Sequence, residues 1–183
     1  MKKYELTAEF IEKWGKKLFR IKALISFGSV EAGELGGYIE KEDNLAHDGN
    51  AWVSGDARVS GNAWVSGDAE VSGNAWVSGN AWVYGNARVS GDAEVSGNAD
   101  YLLIGRIGSR FSFTTFFKNK DKGITVSCGC FLGTIAEFRA KVTDTHGNNK
   151  HAKMYNLAAD MAELQILGEE YFDKLNTNKS EPF

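Results

Sequence analysis

The sequence predicts a mainly β chain: a short parallel β-helix of about three to four coils with an N-terminal hairpin cap and a C-terminal α+β unit. Three observations carry this expectation. Nine of the 21 glycines fall at six-residue steps from Gly49 to Gly97. Between them one string recurs, Gly-Asn/Asp-Ala-x-Val-Ser, with Tyr84 once in place of Ser. The single proline, Pro182, stands in the tail, so every repeat keeps its backbone N–H donors.

Six is not a helical period, and nine glycines in a helix would cost about 1 kcal/mol each. The string reads instead as a short strand followed by a turn. Ala and Val point one way and the residue between them the other. Gly followed by Asn or Asp tolerates the backbone angles a turn needs. A strand of about three residues cannot bury itself, but pairing in parallel with the strand one coil away closes an interior filled by the Ala and Val columns.

Units such as Val59-Ser60-Gly61-Asn62-Ala63-Trp64 resemble the hexapeptide repeat of left-handed β-helix proteins. The resemblance covers residues 49–100 and implies a triangular prism, three hexads per coil, so that positions about 18 apart stack. It says little about function, because that fold hosts acyltransferases, carbonic-anhydrase-like enzymes and inert structural proteins. Phe27 to Ile39 also resembles the leading cap of β-helix proteins common in phages and prophages, several of which are called transferases on repeat grounds alone.

The organisation follows: residues 1–34 form a cap, 35–100 the β-helix and 101–183 an α+β domain with a frayed tail from about Asn176. Phe10 to Trp14 and Leu18 to Leu24 read as a hairpin around Gly15 that would cover the open first coil. Counting back by sixes, Leu45 and Ile39 continue the Ala lane, and His47, Lys41 and Leu35 the Val lane, with Lys41 and His47 poorly suited to a core. Beyond the repeat, Tyr101 to Gly108, Arg110 to Lys118 and Ile124 to Phe131 read as three strands, the last two across the turn Lys120 to Gly123. Thr134-Ile135-Ala136-Glu137 is a capping box for a helix that stops at Gly147. Asn148 or Asn149 opens a second helix to about Ile166, with Ala152, Tyr155, Leu157, Ala158, Met161 and Leu164 as its apolar face.

The outward lane carries the candidate interaction surface: Trp52, Arg58, Trp64, Trp76 and Trp82. Three columns are expected, Trp52/Glu70/Arg88, Arg58/Trp76/Glu94 and Trp64/Trp82/Asp100. Glu70 would pair with Arg88, Arg58 would lie on Trp76, and Trp64 would stack on Trp82. Exposed indoles at this density mark a surface that is covered. Either the indoles are a ladder that stiffens the prism, or they are covered by the chain's own C-terminal part, by a second copy in a trimer or dimer, or by a foreign partner. Trp64 and Trp82 are expected to be largely buried in the assembled protein.

Cys128, Cys130, His146 and His151 together have the ligand types of a zinc site, but one residue between the cysteines splays their thiolates. Reduced, partly buried cysteines are the plainer reading. Cys130 with His146 is a candidate nucleophilic pair without a third group. Arg110 with Thr114 and Thr115 is a candidate anion site. No cofactor is expected.

The net charge of −3 and the lack of a basic segment argue against nucleic-acid binding. No apolar run approaches a membrane span or a signal-peptide core, so a cytoplasmic chain is expected, in the host cytoplasm if phage-encoded. Two functions remain. One is a non-catalytic binding or scaffold protein, by resemblance a phage accessory protein acting on a host component such as a defence system, through protein binding or by sequestering a small nucleotide, with Arg110 and the tryptophan columns as candidates. The other is a hexapeptide-type acyltransferase using acyl-CoA. That class uses a histidine base, whereas here the repeat is uninterrupted and contains none, His47 lying at the cap.

Overall fold

A computed structural model of the chain describes residues 1–168. It forms two compact units, Met1–Asn98 and Ala99–Phe183. The frayed tail expected from Asn176 lies outside the described residues.

In the first unit, β1 (Tyr4–Lys13) and β2 (Lys16–Ala23) make the expected antiparallel hairpin, whose pairing reaches back to Tyr4. Trp14 and Gly15 close it with φ of 49° and 74°. Two left-handed residues make the turn that suits the twist of a tight hairpin. β3 (Leu35–Ile39) pairs antiparallel with β2 on one edge and parallel with the repeat on the other, so the cap's sheet runs on into the β-helix.

Eight two-residue strands follow: β4 (Trp52–Val53), β5 (Arg58–Val59), β6 (Trp64–Val65), β7 (Glu70–Val71), β8 (Trp76–Val77), β9 (Trp82–Val83), β10 (Arg88–Val89) and β11 (Glu94–Val95). They pair in parallel within three sheets, β1-β2-β3-β5-β8-β11, whose first three strands are antiparallel, β4-β7-β10 and β6-β9. The N–H groups flanking each Val from Val53 to Val77 donate to the next coil, as in Trp64 N to Ala81 O at 2.9 Å and Ser66 N to Val83 O at 3.0 Å, while Ala N–H groups such as that of Ala63 close the turn onto the Ser three residues before. Both inward lanes, Ala51 to Ala93 and Val53 to Val95, are at most 1% exposed. The turn glycines from Gly49 to Gly91 hold φ between 60° and 69°.

The first coil departs from the extrapolated phase. Ile39 lies opposite Val59 and Leu45 opposite Val65, so both occupy the Val lane and not the Ala lane. Leu35 and Lys41 are exposed and His47 is half-buried. The physical reason is volume: the Ala lane has no room for Leu or Ile, so the chain slips by two residues between Leu45 and Val53. That slip takes Gly61 and Ala63 out of the regular ladder, and the buried Asn44 amide donates to both their carbonyls, at 3.2 and 2.8 Å. Above it, the buried Lys3 ammonium lies 3.5, 3.4 and 2.9 Å from the carbonyls of Asp48, Gly49 and Ala51. Side chains thus supply the donors that a preceding coil would have supplied. At the other end the Asn98 side chain accepts from Trp82 N at 2.8 Å. Asp100 is outside the third column: the repeat ends at Val95, and Asn98–Asp100 is a single 3-10 turn.

The second unit is a four-stranded antiparallel sheet with two helices. β12 (Tyr101–Ile107), β13 (Ser112–Lys118) and β14 (Ile124–Cys128) fall near the expected strands. The third does not run on to Phe131. Gly129, at φ 62°, and Cys130 make a two-residue turn, and Phe131 opens a fourth strand, β15 (Phe131–Thr134), by pairing with Cys128. α1 (Ile135–His146) starts at the Thr134–Glu137 capping box and ends at Gly147, and α2 (Lys150–Leu167) starts at Asn149 and ends at Gly168. The buried face of α2 is Ala152, Tyr155, Ala158, Ala159, Ala162 and Ile166, whereas Leu157, Met161 and Leu164 are exposed. Alanines let the helix approach Phe116 and Phe138 closely, and the polar network Arg139–Asp160–Glu163 fixes its rotation. No described helix is long and apolar enough to cross a membrane.

Candidate functional site

The outward lane forms the columns expected from Trp52 to Glu94, but the cap sorts its tryptophans. Trp52 is 5% exposed, with Tyr4 and Phe27 meeting it edge-on. Trp76 is covered by Trp14 from the hairpin turn, rings parallel to within 11° and centroids 4.1 Å apart, and its Nε1 donates to Ser60 Oγ. Arg58 does not lie on Trp76, because the Trp14 indole takes that place. The cover comes from the cap: Tyr4 and Trp14 of the hairpin and Phe27 of the segment after it. Glu70 and Arg88 pair at 3.4 Å as expected, an exposed contact worth at most about 1 kcal/mol.

Trp64 and Trp82 remain. Their rings meet edge to face, centroids 5.6 Å apart at 84°, in place of the expected stack. They are 38% and 52% exposed, and Tyr84 beside them is exposed as well. β6 and β9, which carry them, pair in parallel with Trp64 opposite Trp82 and Val65 opposite Val83.

A groove of about 410 Å³ opens where the hairpin turn meets the corner of the β-helix, lined by Lys13, Trp14, Lys16, Trp76, Asn62 and Asn80 among others. At its side Glu40 accepts from Gly61 N at 2.6 Å and from Lys16 at 2.8 Å, and these bonds hold its carboxyl below the usual carboxylate range. Asn62 donates to Asn80 at 3.2 Å.

The remaining candidates do not assemble. Cys128 accepts from Thr114 Oγ1 at 3.2 Å and is half-buried, while Cys130 is exposed on the turn. Being on a turn, Cys130 does not share a strand face with Cys128. Burial first, and Cys128 second, push the Tyr155 hydroxyl up from its ordinary pKa. His146 stacks on Tyr155 and lies 5.8 Å, ring to ring, from His151. Among the described residues no three His, Cys, Asp or Glu side chains converge to hold a metal. Thr114 and Thr115 are both buried and alternate across β13, so they cannot join Arg110 in one anion site. His47 stacks on Tyr4 and its Nδ1 accepts from Lys3 N.

Residues 51–67, 69–85 and 81–97 match the family described as the YdcK β-solenoid repeat. The chain carries a β-solenoid repeat. No curated protein matches it. Three residues that cover or cap the solenoid stand outside the hexads and are not singled out by the sequence: Trp14, Lys3 and Asn44. The only available signal for Trp14 was a large aromatic next to the turn glycine.

Proposed function

We propose that the protein is a non-catalytic binding scaffold whose solenoid presents Trp64, Trp82 and Tyr84 to a second copy of the chain. The observation that supports this reading is the division of the tryptophans: the cap covers Trp52 and Trp76, while Trp64 and Trp82 stay exposed on paired solenoid strands. Large exposed aromatics on a rigid element are the usual make-up of an interface centre. A threefold assembly is the simplest closed form for such a prism, with a dimer next. With its phage-like cap and tail, such an assembly would serve as a phage or prophage accessory protein in the host cytoplasm. There it would act on a host component by protein binding or by holding a small nucleotide.

Acyl transfer draws no support from the geometry. The one histidine of the first unit, His47, has Nδ1 engaged by Lys3 N and Nε2 enclosed, so it cannot reach a substrate as a base.

Light scattering tests the proposal. The wild type is expected to be a trimer or dimer, and the Trp64→Ser/Trp82→Ser variant a folded monomer by circular dichroism. A monomeric wild type at about 0.1 mM, well above the range of a specific interface, or a variant that stays assembled, overturns it.

A further inference from the structure

We infer that the groove between the hairpin turn and the solenoid corner is a binding site for an acidic sugar, a hydroxylated ring bearing a carboxylate. The inference is independent of self-association, because the groove is lined by the hairpin turn and the solenoid corner and includes neither Trp64 nor Trp82.

The cations come first. Lys13 and Lys16 lie directly opposite each other in the hairpin register, and both line the groove. Like charges across a strand pair are unfavourable. Glu40 offsets one of them, at 2.8 Å from Lys16. Lys13 has no ion pair among the described residues, which leaves one positive charge beside the groove for an anion. A single unneutralised ammonium matches one carboxylate better than a phosphate chain.

The wall is aromatic. Trp14 occupies the first turn position at φ 49°, where Asn or Gly is usual, and is 67% exposed although one face lies on Trp76. A left-handed backbone is unfavourable for a large side chain, so the hairpin holds this indole in place at some cost. Its free ring offers an apolar platform of the kind that takes the C–H face of a pyranose. The polar groups complete the match. The Asn62 amide spends one N–H on Asn80 Oδ1, leaving Asn62 Oδ1 and the Asn80 amide nitrogen to meet ligand hydroxyls. The volume of about 410 Å³ lies within the range of small-ligand sites.

Saturation-transfer NMR with glucuronate, glucose and acetate separates the parts of the claim, using the full chain and the variants Lys13→Ala and Trp14→Ala. Both substitutions are at exposed positions, and circular dichroism checks the fold. Glucuronate is expected to bind saturably in the millimolar range. Lys13→Ala should weaken it about fivefold and bring it level with glucose, and Trp14→Ala should weaken both sugars about tenfold. Acetate should bind much more weakly than glucuronate. The inference is overturned if glucuronate does not saturate, if acetate binds as well as glucuronate, or if neither folded variant changes the affinity.

Discussion

Coil spacing is what makes the repeat a solenoid, and two glycines measure it. Gly49 and Gly91 share nearly the same backbone, φ 65° and 68°. An alanine at either adopts a left-handed conformation costing about 1–2 kcal/mol, partly offset by about 0.4–1 kcal/mol of lost unfolded-chain entropy. Their surroundings differ. A Cβ at Gly91 meets nothing within 4 Å, whereas one at Gly49 presses on the Gly67 carbonyl oxygen in the next coil. That oxygen accepts from both Asn50 N and Ala51 N at 2.8 Å. Pushing it away weakens two buried hydrogen bonds at about 1 kcal/mol each. Gly91→Ala should therefore cost about 1 kcal/mol and Gly49→Ala about 3 kcal/mol. All five tryptophans lie in the first unit, so urea unfolding followed by tryptophan fluorescence reads that unit alone. Equal midpoints for the two variants would show that the coils are not held at contact distance.

Lys3 makes the first unit's stability depend on pH. Burial lowers its pKa from 10.5 to about 8, so between those values the unfolded chain binds more protons than the folded one. Stability should then rise with pH across that window, by up to about 3 kcal/mol. Burial raises the Tyr4 hydroxyl and works in the opposite direction once unfolded tyrosine ionises, near the top of the window. Urea midpoints between about pH 7.5 and 9.5 check this: Lys3→Met should flatten the slope, and a flat wild-type profile would contradict the reasoning. Asn44→Ala strands the carbonyls of Gly61 and Ala63 and should cost about 2 kcal/mol. Asn44→Asp, which loses the donor, should do no better in the same unfolding assay. In the second unit a thiol-reactive chromophore should label the exposed Cys130 first and the Thr114-bonded Cys128 slowly. Cys130→Ser should remove the fast phase, and a single fast phase of both thiols would place Cys128 wrongly.

The repeat was legible because its periodicity is strict and each position has one physical duty: small, apolar, outward or turn. The same strictness misled at Ile39 and Leu45, where side-chain volume outweighs counting by sixes. The capping box at Thr134 and the Asn149 cap were local signals and were found. The turn at Gly129-Cys130 was missed because two apolar strands with a lone glycine between them read as one. On α2, Leu157 and Met161 out-rank Ala159 and Ala162 in hydrophobicity, yet close packing against the sheet selects the alanines. The division of the tryptophans is a tertiary effect: nothing in the hexads shows that Trp14, far before Trp76 in the chain, covers one column and leaves another bare.

The most direct test of the scaffold reading is acrylamide quenching of a variant that keeps only Trp64 and Trp82, the other three tryptophans being replaced by Phe. If this column is the contact between copies, quenching should fall as protein concentration rises through the assembly range seen by light scattering, and should return to the open value on dilution. Quenching that stays at the open value while the protein is assembled would contradict the account.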